Sequence, residues 1–373
     1  MHQTKPNQIK VGSASIEHLE DLILKDTDYR HLMNQTTGKW IQNEKVYCQF
    51  NNRDGGILQV QEEEEEDDDV NNSNSNNFHY CSRMNPYKFG PELGFGWSMS
   101  SDTNTKNSNN DSNNDDTDTD TTPILLLKQA WDSSDLAVDF LPPSSGKANY
   151  KRSKQYESVN YNAMMNNLKW TIDSLESNTV KTDNESKEDD NSNGNGGYLQ
   201  SAIYVKSNNI NQQYYWSPKD RILYDTVHIS GFVWFQGWND YIYDDMSSEY
   251  EYNLANFIRN IRNELNVSNL PFVIGELGQR GGNITDSTDD TNNNSNIYNR
   301  TLVMRQSQYN VTQYPEFYDN TMFVETSKYY FEGDKEKRIY DGIHHYYGRA
   351  DTIYKIGEDF GKAMIQLEKL REQ

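Results

Sequence analysis

Apolar positions along this chain gather in short continuous runs separated by longer polar segments. The run "ILLLKQAW" at 124–131 follows a proline and has the character of a strand buried on both faces. "HISGFVWFQ" at 228–236 reads the same way. "PFVIGEL" at 271–277 opens on a proline, where no ladder donor is needed, and "TMFVET" at 321–326 is a fourth candidate strand. Between these runs the period lengthens. Met164, Leu168 and Leu175 mark one helix. Leu254, Phe257, Ile258, Ile261 and Leu265 fall on one side of a second, over 247–266, with Ser247 and Ser248 as N-cap candidates. Ile353, Ile356, Phe360, Met364 and Leu367 give a C-terminal amphipathic helix. Strand and helix in alternation predict βαβ units: an α/β fold of three αβα layers around a mainly parallel sheet. Ligands of such sheets sit beyond the carboxyl ends of the strands.

Composition changes this picture in one respect. The chain has 373 residues and a formal net charge of −22. Four stretches, 61–77, 101–122, 178–197 and 283–299, carry a net −19 of it in 76 residues rich in Asn, Asp, Ser and Thr. Such segments bury too little apolar surface to offset the entropy of ordering, so they are expected to be solvated, disordered loops. Long surface insertions cost little in loop closure. The 297 residues left without them fit a single α/β domain spanning 1–373. Acidity confined to inserts marks no binding face for a cationic partner, and it argues against nucleic acid.

The two cysteines, Cys48 and Cys81, are expected to be free buried thiols, with a single disulfide as the alternative. Their number excludes a cysteine-built zinc site. No apolar run approaches membrane-spanning length, and the opening "MHQTKPNQIKVGSAS" lacks the apolar core of a signal peptide. The compartment is left open.

Two polar clusters carry candidate chemistry. Gln236-Gly237-Trp238-Asn239-Asp240 lies just past the 228–236 strand, where side chains face a cleft. Its Gly allows a sharp exit, and the Asn239 amide can donate to a developing oxyanion. An ordinary polar turn is the simpler alternative. Asp341-Gly342-Ile343-His344-His345 joins a carboxylate to an imidazole within one local turn. A histidine there can take a proton from a nucleophile and return it, with the Asp fixing its tautomer. Adjacent histidines on an extended segment point to opposite sides, which argues against chelation of a metal by both.

These motifs, in this order, resemble the sialate O-acetylesterase-like (SASA) carbohydrate esterases of the SGNH hydrolase superfamily. Gly237 and Asn239 match the G-x-N-D block, and Asp341 and His344 match the D-x-x-H block. "FGPELGFG" at 89–96 is similar to the block whose Gly, here Gly90, supplies an oxyanion N–H. "GKWIQNEKVY", "KQAWDSSDLAVDFLPPSSG" and "LPFVIGELG" extend the likeness over nearly everything outside the inserts. The resemblance implies an SGNH/flavodoxin-like fold and a serine-type attack on an acetyl ester of a carbohydrate. It implies no cofactor and no metal. Oxyanion and substrate contacts would come from Gly90, Gln236, Gly237 and Asn239. The D-x-x-H spacing makes His344 the base. A second family pattern, H-Y-x-G-x-A, matches at His345 to Ala350 and makes it His345, with more matching neighbours.

One block has no counterpart. The family's nucleophile follows an apolar strand and a G-Q-S-N-like turn, and no such segment occurs. Ser13 and Ser15 are the nearest serines, but no apolar strand precedes them. The N-terminal nucleophile strand is therefore expected to be missing, through an incomplete sequence or, alternatively, in an inactive carbohydrate-binding protein of the same fold. Its loss is expected to leave strand edges unpaired at the centre of the sheet. A third reading assigns the function to the Asn-rich inserts of an interaction protein.

Overall fold

The computed structural model describes residues 14–50, 55–58, 88–105, 123–148, 150, 153–176, 201–206, 227–282, 294–334 and 342–372. In chain order these form β1 (Ala14–Ser15), α1 (Ile16–Lys25), β2 (Asn43–Phe50), β3 (Gly55–Leu58), β4 (Lys88–Phe89), α2 (Glu92–Thr105) and β5 (Ile124–Gln129). There follow α3 (Ser153–Tyr156), α4 (Val159–Glu176), β6 (Ser201–Lys206), β7 (His228–Trp234), α5 (Trp238–Tyr241) and α6 (Asp244–Glu264). The remaining elements are β8 (Phe272–Gly275), α7 (Asn294–Thr312), β9 (Thr321–Val324) and α8 (Ala350–Arg371).

A seven-stranded sheet in the order β3-β2-β5-β6-β7-β8-β9 forms the middle layer. β2, β5, β7, β8 and β9 all point one way, and β3 and β6 run against them. The central strands are buried on both faces because their alternate side chains enter two different cores. Val233 and Phe235 pack with α1, α2 and α8, against Leu93, Phe95, Ile353 and Phe360. Phe232 and Trp234 point the other way, onto α4, α6 and α7, against Met164, Phe257 and Met304. The three-layer αβα arrangement follows directly from that alternation.

The four apolar runs become β5, β7, β8 and β9, and the three periodic segments become α4, α6 and α8. Other expectations are corrected. Helix α6 begins at Asp244 with Tyr243 at its N-cap position, ahead of both serines. Ser247 and Ser248 lie in its first turns and donate their hydroxyls back to the Asp244 and Asp245 carbonyls. Asp244 and Asp245 themselves suit the positive end of the helix dipole. Cys48 is disulfide-bonded, so the free-thiol expectation fails, and Cys81 is the chain's one other cysteine. A single pair separated by more than thirty residues offered no spacing signal to decide this. The unpaired edges anticipated at the sheet's centre are also not seen, because β6 bonds to β5 on one side and β7 on the other. The stretches 61–77 and 178–197 lie outside the described residues. The edges of the other two are helical: α2 runs to Thr105, and α7 starts at Asn294. Among the described residues no helix is long and apolar enough to cross a membrane.

Candidate active site

A cavity of about 280 Å³ opens beyond the carboxyl ends of β5, β7 and β8, where this sheet class holds ligands. Each strand exit contributes a wall. Trp131, Asp132, Ser133 and Ser134 follow β5, Phe235 to Asn239 follow β7, and Glu276, Leu277 and Gln279 follow β8. His344 and His345, from the turn preceding α8, complete it. The Asn239 amide and both imidazoles therefore share one cavity, although a hundred residues separate them in the chain.

The local fold at the β7 exit explains how Asn239 comes to face this space. Gly237 adopts φ +156°, ψ −17°, a conformation that a side chain disfavours. The chain then turns into the four-residue helix α5. Asp240, 0 % exposed, points inward. Its carboxylate accepts hydrogen bonds from the Leu136 and Ala137 N–H groups at 2.9 and 3.0 Å and from Gln236 Nε2 at 2.7 Å. Burial pushes its pKa up to about 6, against the pull of those donors. Asn239, half-buried, lines the cavity and makes no side-chain hydrogen bond among the described residues.

Gln236 lines the cavity but serves the scaffold. Its Nε2 donates to the Ser134 carbonyl at 3.1 Å as well as to Asp240, which uses both amide hydrogens. Gln236 was expected to contact the oxyanion or the substrate; its amide hydrogens are taken up within the protein, while its side chain still lines the cavity. Gln308 of α7 does similar work beneath the site. It donates to the Gln236 and Gly275 carbonyls and accepts from Leu277 N at 2.8 Å. Backbone groups at the exits of β7 and β8 are thereby satisfied.

The histidine turn is held from below. His345 N–H donates to the Gly342 carbonyl at 2.8 Å, and the two imidazole centroids lie 3.8 Å apart. Tyr346 and Tyr347 take left-handed φ values of +49° and +56°, sparsely populated for aromatic residues. The buried Tyr346 hydroxyl anchors this bend by accepting from Gly278 N at 3.0 Å and meeting Thr326 Oγ1 at 2.8 Å. Gln279 Nε2 donates to the His344 carbonyl at 3.1 Å. The Trp238 ring lies 5.6 Å from His344, centroid to centroid.

Two other residues considered for the site, Gly90 and Ser15, do not line the cavity. Gly90 is buried, but its N–H donates to Glu92 Oε1 at 3.0 Å, and it does not line the cavity. The same carboxylate oxygen pairs with the buried Lys128 at 3.1 Å, so the Gly90 N–H adjoins an internal ion pair. Asp341 and Ser13 lie outside the described residues. Ser15 is in β1, which pairs with β4 apart from the seven-stranded sheet. Conversely, Asp132, Ser133, Ser134, Glu276 and Gln279 had not been singled out. They directly follow two of the recognised strands, so the carboxyl-end rule applied to every strand would have found them. Among the described residues no group of three or more His, Cys, Asp or Glu is arranged to hold a metal ion.

Comparison with known proteins adds the family. No curated protein matches the chain. Among solved structures it is similar to a protein from Arabidopsis thaliana, at 16% sequence identity and a TM-score of 0.26, over 37% of this chain and 44% of that one. The chain thus covers less than half of that protein's length. Residues 200–314 match the model of a family described as carbohydrate esterase, sialic acid-specific acetylesterase. That segment runs from β6 through α7 and includes both the Gln236–Asp240 exit and the Glu276–Gln279 wall. Over that segment the chain is similar to the SASA carbohydrate esterases, whose general kind is the SGNH hydrolase superfamily.

Proposed function

We propose that this protein removes O-acetyl groups from carbohydrate by serine-type ester hydrolysis in the cavity beyond β5, β7 and β8. The observation that carries this reading is the shared cavity of the Asn239 amide and the His344–His345 pair. In acyl transfer the ester carbonyl becomes an oxyanion, and the unengaged Asn239 amide is suited to donate to it. An imidazole takes the proton of the attacking hydroxyl and returns it to the departing sugar oxygen. His345 is the preferred base, with His344 as the alternative, and Asp341 is its proposed orienting carboxylate. The walls suit a pyranose ring, since Trp131 and Trp238 both line the cavity.

Those same tryptophans support a second reading, carbohydrate binding without hydrolysis. The two separate on one experiment. The protein is mixed with an O-acetylated monosaccharide while released acetate and tryptophan fluorescence are both followed. Saturable acetate release is expected. Fluorescence quenching with no acetate released would favour the binding protein.

A further inference from the structure

The attacking group is unassigned by the motifs, and the cavity contains two serines. Ser134 is committed to the scaffold. It is 6 % exposed, its Oγ donates to the Asp132 carbonyl at 3.1 Å, and that Oγ accepts from Asn160 Nδ2 at 2.7 Å. Ser133 differs in each respect. It is exposed, and its Oγ makes only a long 3.3 Å contact to Asp132 Oδ1. Its φ is +53°, a left-handed value that non-glycine residues seldom take. The sharp bend follows β5 by four residues and sets the Ser133 side chain on the cavity wall. Hydroxyl, imidazoles and an unengaged amide donor are the parts that nucleophilic acyl transfer requires.

We propose that Ser133 Oγ is the nucleophile, an assignment that rests on the esterase reading above. Oγ attacks the acetyl carbonyl carbon as its proton passes to an imidazole nitrogen of the histidine pair. The bond from that carbon to the sugar oxygen breaks, and the sugar oxygen takes the proton from the imidazolium. Water then attacks the acetyl-Ser133 ester and gives a proton to the imidazole. The Ser133 oxygen leaves and recovers that proton, and acetic acid departs. Every bond made is matched by one broken, and no redox partner enters. Asn239 donates to the oxyanion in both halves.

The test treats the full chain with a fluorophosphonate probe, locates the adduct by peptide mass spectrometry, and measures hydrolysis of p-nitrophenyl acetate in parallel. Two variants are compared, Ser133→Ala and Ser133→Gly. Glycine suits the left-handed backbone, so Ser133→Gly should melt no lower than the parent, which separates lost chemistry from lost folding. A single adduct on Ser133 is expected, with a fall in kcat of about a thousandfold or more in both variants. Hydrolysis by the parent with the adduct on another serine, or undiminished hydrolysis by Ser133→Gly, overturns the assignment and leaves the esterase reading standing. Neither hydrolysis nor labelling in the parent overturns both.

Discussion

Asn239 and Asp240 are neighbours with opposite duties. The carboxylate of Asp240 is turned inward and ties the β7 exit to the loop after β5, whereas the Asn239 amide is left to the cavity. Asn239→Ala should therefore lower kcat by about a hundredfold or more with little change in KM, since an oxyanion donor acts mainly in the transition state. A variant with parental kcat would remove Asn239 from that role. A second residue-scale expectation concerns pH. Burial pushes the Asp139 carboxyl up to about 7 and that of Asp240 up to about 6. With unfolded values near 3.9, each adds stability that is fully present below about pH 4 and lost as pH rises through the folded value. Asp139→Asn should thus show a flatter decline in melting temperature between pH 4 and 8 than the parent. An equally steep decline would rule out Asp139 as its source. The sequence showed Asn239 as a donor at a strand exit. It could not show the duty of Asp240, because the N–H groups of Leu136 and Ala137 come from a loop a hundred residues earlier. Nor could it show that the Gly90 N–H is taken up by the side chain of Glu92, two residues away inside the same motif.

At the scale of elements, the contact of α2 with α8 stabilises the turn that carries the histidines. The two helices approach closely at glycines. A methyl on Gly357 would overlap the Pro91 carbonyl oxygen, and one on Gly94 would overlap that of Tyr354. Gly357→Ala is expected to destabilise the protein by about 1–3 kcal/mol in urea denaturation, although alanine is the better helix former in isolation. A gain in stability would show that the helices can part without cost. This contact also explains why α2 escaped the pattern reading. "ELGFGWSMSSDTNT" is rich in Gly, Ser and Thr, and it is helical because α8 packs on it. Helix α7 was hidden differently: Thr301, Ser307 and Gln308 share its buried side with Met304 and Val311, so apolar periodicity is weak. The strands that were legible, β5, β7, β8 and β9, contain short apolar runs. Strand β2 was not, since Lys45 and Gln49 interrupt its apolar positions.

Over the whole molecule, the cavity is assembled from four separated segments that meet only because five strands point the same way. The order β5, α4, β7, α6, β8, β9, α8 was readable from hydrophobic period. The antiparallel β6 between β5 and β7 was not, because pairing partners are a property of the assembled sheet. The central claim is that this assembled cavity hydrolyses acetyl esters and that its imidazoles move the proton. It is tested most directly by following the acetate methyl signal by proton NMR as the protein acts on an O-acetylated sialoside. Parent and His344→Ala/His345→Ala protein should be compared at matched melting temperature. The account predicts steady acetate release by the parent and a loss of at least about a hundredfold in the double variant. Release at the parental rate without either imidazole would contradict it.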